Sequence, residues 1–262
     1  MRLNLFLARA GAGSRREADG WIREGRVRVN GLPPAGMGPS VDPLRDRITL
    51  DGKLLVWKKE HRYLAYHKPA GILVSRRSQG GHPTVFQALG DRVRGLHAVG
   101  RLDLPTEGLL LFTDDGALAE ALLHPRTALS RLYRVWVAPV PAAQAMRTLR
   151  GGAVIEGVEI LPRRVILEGQ ERGLGRLLIE ILEGKKREVR LLARAAGLHV
   201  ERMLRIQFGP IRLGALAPGA VRPLTQGEVR SLRRSAGIPD AFPGPMGGDT
   251  LRPATRSRRR GR

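Results

Sequence analysis

"GRLDLPTEGLLLFTDDG", residues 100–116, carries the decisive signal in this chain. One carboxylate, Asp103, follows Arg101 and Leu102 and precedes an apolar run from Gly108 to Phe112. A short apolar run bounded by turn residues reads as a buried strand. Asp114-Asp115-Gly116 closes the run, and its two acids read as caps of the next helix. Taken alone, Asp103 is an ordinary loop acid or half of a surface ion pair with Arg101, worth little. Two features argue otherwise. The loop is flanked by glycine and leads straight into a strand, a rigid element that fixes where a side chain is presented. The surrounding chain is also strongly basic, so a bare acid would repel the expected partner unless it had a chemical task.

That basic excess is 46 Lys+Arg against 24 Asp+Glu, a formal charge of +22 over 262 residues. Self-repulsion on this scale points to a polyanionic partner, nucleic acid first and an acidic membrane surface second. Aromatic residues make up 4%, which counts against stacking of bases along an open single-strand groove. The absence of cysteine excludes disulfides, thiolate catalysis and cysteine-ligated zinc. Six scattered histidines show no ligand spacing, so no metal is expected. The first apolar run is too short for a signal peptide and no segment has the length of a membrane span. The expected compartment is the cytoplasm, with no membrane partner. No glycine-rich phosphate loop appears, and no cofactor is expected.

"MRLNLFLARAGAGSRREADGWIREGRVRVNG", residues 1–31, reads as two short helices and a strand. Leu3, Leu5, Phe6 and Leu7 make the first helix apolar, and Gly11 and Gly13 stop it. Ser14 and Glu17 form a capping box for the second, with Gly25 at its end. Ala18, Trp21 and Ile22 share one of its faces. "RVRV" before Asn30-Gly31, and "RITL" before Asp51-Gly52, read as strands entering tight turns. Arg15, Arg16, Arg23, Arg26 and Arg28 surround helix starts whose open N–H groups suit phosphate. The pattern closely resembles the S4 RNA-binding domain over roughly residues 1–55. That resemblance implies RNA held by the second helix and the following strand.

A charged stretch near residues 57–63 reads as a linker. Beyond it, short strands alternate with turns and helices: "YLAYHK", "GLLLFT", "LYRVWVAPV", "RLLIEILEG" and "HVERMLRIQFGPI" as strands, "VFQAL", "ALAEALLH" and "KKREVRLLARAA" as helices. The fold class this implies is α+β, a mixed and mostly antiparallel sheet with flanking helices. From residue 236 onward Pro, Gly and Arg dominate, as in a disordered basic tail. The expected division is 1–58, 60–235 and 236–262.

"GRLDLPTEGLLLFTDDG" also closely resembles the signature of the RsuA/RluB family of ribosomal RNA pseudouridine synthases. "KPAG" at 68–71, "PTVFQALG" at 83–90, His124-Pro125, "YRVWV" at 133–137, "EGKKREVRLLARAAG" at 183–197 and "LAPGAVRPLT" at 216–225 match it in order. The resemblance implies an isomerase that breaks the glycosidic bond of a uridine, turns the uracil and rejoins it through C5, with no cofactor or metal. The base must be flipped into a pocket. Asp103 occupies the position of the nucleophile. It can attack the sugar carbon, attack C6 of the ring, or remove a ribose proton, and the sequence leaves the three routes open.

By the same resemblance Arg190 pairs with the aspartate and keeps it ionised. Tyr133 lies against the base. Arg101 fills the vacated stack or contacts a phosphate, and Lys185, Lys186 and Arg187 hold phosphates. The "KKREVR" and "RIQFGPIRLGALAPG" segments favour large-subunit (23S) rRNA as partner over small-subunit (16S) rRNA, with the chain acting as a monomer. The rival from another class is a non-catalytic rRNA assembly factor, against which the Asp103, Tyr133 and Arg190 set argues. A DNA-binding protein would need a recognition helix or zinc finger, and neither pattern appears.

Overall fold

The computed structural model describes residues 1–238 apart from 37, 44, 57–60, 156 and 186. Most of the expected linker, Lys186 and the tail from 239 therefore lie outside the described residues.

The N-terminal segment carries helices α1 (Leu3–Arg9) and α2 (Arg15–Arg23) and strands β1 (Val27–Val29), β2 (Ile48–Leu50) and β3 (Lys53–Leu55). The Ser14–Glu17 capping box forms in both directions. The two tight turns form as well, with positive φ at Asn30 and Gly31 and again at Asp51 and Gly52. Leu3, Phe6, Leu7, Ala18, Ile22, Val27, Val41 and Ile48 make a small core of their own.

From residue 63 the chain adds β4 (Tyr63–Lys68), α3 (Val85–Leu89), β5 (His97–Val99), β6 (Thr106–Thr113) and α4 (Gly116–Leu123). Next come β7 (Arg131–Ala138), α5 (Ala143–Gly151), β8 (Ala153–Ile155), β9 (Val158–Ile160), β10 (Arg164–Glu171) and β11 (Leu174–Ile181). The last elements are α6 (Glu188–Ala195), β12 (His199–Phe208), β13 (Ile211–Arg212), β14 (Val221–Pro223) and α7 (Gln226–Ser235). Nine strands form one sheet, ordered β10-β11-β7-β12-β6-β4-β14, with β13 paired to β12 and β5 to β6. The β6–β12 pair is parallel and the other pairs are antiparallel, so the sheet is mixed as expected.

Strand β6 explains its own sequence. Leu110 and Phe112 enter one core with Tyr66, Tyr133, Val135, Ile179 and Leu192. Leu109 and Leu111 enter the opposite core with Leu118, Leu122, Phe208 and Leu232. A strand buried on both faces loses the polar alternation of a half-exposed one. Ala236 and Ile238 still pack against the second core.

Of the acids after β6, only Asp115 caps α4, accepting from the Leu118 N–H at 3.1 Å. Asp114 instead accepts from the Arg62 N–H and bonds His61, each at 3.0 Å. Helix α6 starts later than its sequence pattern suggests. Arg187 takes a left-handed φ of 56° there, and the Glu188 carboxylate accepts from the Lys185 N–H.

Candidate active site

A cavity of about 570 Å³ opens where the loop before β6 meets β7, β12 and the start of α6. Asp103 lines it, half-buried, on a turn closed by the Thr106 N–H donating to the Asp103 carbonyl at 3.0 Å. That turn is braced from below. Lys68, at the end of β4, is fully buried, and its Nζ donates to the Pro69 and Leu104 carbonyls at 2.8 and 3.3 Å. The Gly71 N–H donates to the same Leu104 carbonyl at 2.9 Å. Burial pushes the Lys68 ammonium down to about 8, while the charges of Glu107 and Asp103 pull it back up.

Tyr133 lines the same cavity from β7, where its register partners are Ile179 on β11 and Arg205 on β12. Arg190 is not a lining residue. Its Nη1 donates to the Val200 carbonyl at 3.3 Å and its Nε has no partner among the described residues. Burial lowers the Arg190 pKa, and the Asp103 charge acts against that shift, so the two groups feel each other without a hydrogen bond between them.

Arg101 and Arg187 stand exposed at the rim. Lys185 lines the cavity too, but its ammonium is held by the Glu159 carbonyl at 2.8 Å and by Glu183 at 2.6 Å. In the N-terminal segment Arg15, Arg16 and Arg23 are exposed. Arg26 is engaged, with bonds of 2.9 and 2.6 Å to Asp51 and one of 3.2 Å to Glu24. The expected capping box occupies the Glu17 N–H, so the start of α2 is only partly open to a phosphate.

Four buried polar residues of this cavity escaped the sequence reading: Thr106, Arg131, Glu188 and Arg205. Arg131 and Arg205 both lie against the Phe208 ring, at 5.2 and 5.1 Å from its centroid. Arg131 donates to the Leu129 and Leu182 carbonyls, and burial lowers its pKa. Burial raises the Glu188 pKa. Among the described residues no group of three or more His, Asp or Glu is placed to hold a metal. No helix among them is long and apolar enough to cross a membrane.

The arrangement offers a carboxylate on a rigid turn, an aromatic wall and cations at floor and rim. Comparison with known proteins agrees with it. The model for RNA pseudouridylate synthases matches residues 62–195, and that for the S4 domain matches residues 1–33. An RNA pseudouridine synthase of Aquifex aeolicus is 37% identical over 239 residues, covering 91% of this chain and 96% of its own length. The ribosomal large subunit pseudouridine synthase B of Pseudomonas aeruginosa is 38% identical over 251 residues, and the chain spans 64% of its length. A protein of the same name from Yersinia pestis is 40% identical over 220 residues, 81% of this chain and 68% of that one. The crystal structure of a pseudouridylate synthase superposes with a TM-score of 0.62 at 28% identity, covering 88% of this chain and 99% of that one.

Proposed function

Because this chain belongs to the RNA pseudouridylate synthase family and carries an S4 domain at its N-terminus, we propose that it isomerises a specific uridine of large-subunit rRNA to pseudouridine. The observation that carries this reading is Asp103 on its braced turn inside a cavity large enough for a nucleoside, beside Tyr133. The large subunit is chosen because two of the similar enzymes bear that name.

Asp103 is the nucleophile. Each route open to it needs an ionised carboxylate next to the nucleoside. Lys68 and Arg190 both lie within electrostatic reach of that carboxylate and bring positive charge to this side of the cavity. Tyr133 packs its ring on the flipped base. Arg101, at the exposed rim, enters the stack that the base leaves or meets a neighbouring phosphate. Arg187, with Lys185 and Lys186, takes backbone phosphates, as do Arg15, Arg16, Arg23 and Arg26 on the S4 domain. Arg26 does so only by giving up part of its Asp51 bond. The division into an S4 domain at 1–58, a catalytic domain at 60–235 and a basic tail at 236–262 fits these roles. The protein works as a cytoplasmic monomer.

The test is to map pseudouridines in rRNA from cells with and without this protein. A single large-subunit position that reverts to uridine supports the reading. An unchanged map, together with no conversion of rRNA by the pure protein, overturns it.

A further inference from the structure

Two buried polar atoms on residues that line the cavity have no partner among the described residues: Nη2 of Arg205 and Oγ1 of Thr106. Arg205 is 2% exposed and Thr106 is 1% exposed. Arg205 is otherwise well fixed. Its Nε donates to the Leu109 carbonyl at 2.8 Å and its guanidinium lies against Phe208. Thr106 opens β6, and its register partner on β12 is Met203, two residues before Arg205. Arg205 in turn is the register partner of Tyr133. A buried donor left unsatisfied costs about 1–3 kcal/mol, and more when it is charged. Two such atoms on adjacent strands of one cavity are explained by a ligand that supplies the missing partners.

Resting on the function proposed above, we infer that Arg205 and Thr106 read the polar edge of the flipped uracil. Arg205 donates to a keto oxygen and the Thr106 hydroxyl accepts from N3–H. Guanidinium offers donors only, so it suits a keto oxygen and leaves the amino group of cytosine unpaired. A hydroxyl can accept, which suits the N3–H of uracil. Phosphates are served at the rim, where Arg101 and Arg187 are exposed to solvent, so the floor is left to the base.

The isomerisation adds a geometric reason. A half-turn of uracil about its N3–C6 axis exchanges N1 with C5 and O2 with O4, and leaves N3 in place. A seat built from one N–H donor to a keto oxygen and one acceptor for N3–H therefore fits the base before and after the turn. Arg205 and Thr106 hold the ring through the step, and neither makes nor breaks a covalent bond.

The test uses the full chain and an rRNA fragment around the uridine that the wild-type protein converts. The fragment is prepared with uridine, 2-thiouridine or 4-thiouridine at that position, since sulfur is a weaker acceptor than oxygen. Single-turnover rates at saturating enzyme are compared for wild type, Arg205→Met and Thr106→Val, with RNA affinity and circular dichroism measured alongside. The wild type is expected to be slowed about fivefold or more by a thio group. In Arg205→Met the uridine rate falls roughly tenfold or more and the thio and oxo rates converge. Thr106→Val lowers the saturated rate to a similar extent with RNA affinity unchanged. Wild-type uridine rates in a folded variant overturn the inference, as does a thio effect that is absent from wild type or persists in Arg205→Met. If Arg205→Met does not fold, Thr106→Val and the wild-type thio effect decide. Failure of the wild type to convert any fragment would instead count against the function itself.

Discussion

Lys68 donates from a fully buried ammonium to the carbonyl of Leu104 at 3.3 Å, one residue past Asp103. The same carbonyl accepts from the Gly71 N–H, so β4 and the turn after it hold the Asp103 loop from two sides. The carboxylate is thus placed through its own backbone by a neighbouring strand, and among the described residues no side chain or N–H group bonds to its oxygens.

The cost of that lysine is visible in pH-dependent stability. Its pKa falls from 10.5 to about 8 on folding. The folded state therefore loses its proton first, and stability rises with pH between those two values. From pH 7 to pH 10 the wild type should gain on the order of 2–3 kcal/mol relative to Lys68→Met, which lacks the titrating group. Urea unfolding of both proteins at the two pH values measures the gap. A gap that does not move would mean that Lys68 is not a buried charge. The same substitution should lower the conversion rate, because the Leu104 carbonyl loses one of its two holds.

Asp103→Asn should abolish isomerisation while RNA binding survives. Asparagine keeps the shape and removes the nucleophile, so the single-turnover rate is expected to fall roughly a thousandfold or more. One negative charge also leaves an RNA-binding surface, so affinity should hold or rise. Conversion by the pure variant near the wild-type rate would remove Asp103 from the chemistry.

At Gly108 the backbones of β6 and β12 approach closely, with Arg205 as its register partner. Its φ is +110°, and a Cβ there would sit 2.3 Å from the Arg205 carbonyl oxygen and 2.6 Å from its nitrogen. Neither neighbour is a flexible side-chain end. Gly108→Ala should therefore cost about 3 kcal/mol or more, through left-handed strain plus separation of the parallel pair. Gly95, with φ +76° and nothing within 4 Å of a Cβ, supplies the control. Gly95→Ala carries only the backbone strain and should cost about 1–2 kcal/mol. Comparable melting temperatures for the two variants would contradict the close approach.

The sequence was most readable where one residue's signal is local. Ser14–Glu17 announces a capping box, and the run 109–112 announces a strand covered on both faces. The floor of the cavity was hidden because its signals are long-range. Arginine is mostly a surface residue, so nothing local marks Arg131 and Arg205 as buried. They are buried because β7 and β12 pair and carry them to one face against Phe208. Lys68 was in view within "KPAG", but its link to Asp103 depends on β4 lying beside β6, a contact across some 36 residues. Helix α7 went unread although Thr225 and Glu228 form a capping box, since "LTQGEVR" follows a proline-rich stretch that resembles a loop.

The S4 domain should serve capture of RNA and not bond-making. Asp103 and Tyr133 line a cavity formed entirely by residues from 100 onward, whereas Arg15 and Arg16 are exposed on α2. The capping box already satisfies part of that helix start, so phosphate contact falls to the two guanidinium groups themselves. Lost phosphate contacts weaken binding without altering groups at the reacting centre. Replacing both arginines with alanine should raise the RNA concentration for half-maximal rate by roughly tenfold and flatten its salt dependence by about two phosphate contacts. Single-turnover conversion at saturating RNA should change little, because a bound uridine still meets Asp103 in the same geometry. An enzyme titration over labelled fragment, at two salt concentrations, separates the two quantities. A large fall in the saturated rate with unchanged affinity and an intact circular dichroism spectrum would show that the N-terminal domain helps assemble the reactive complex.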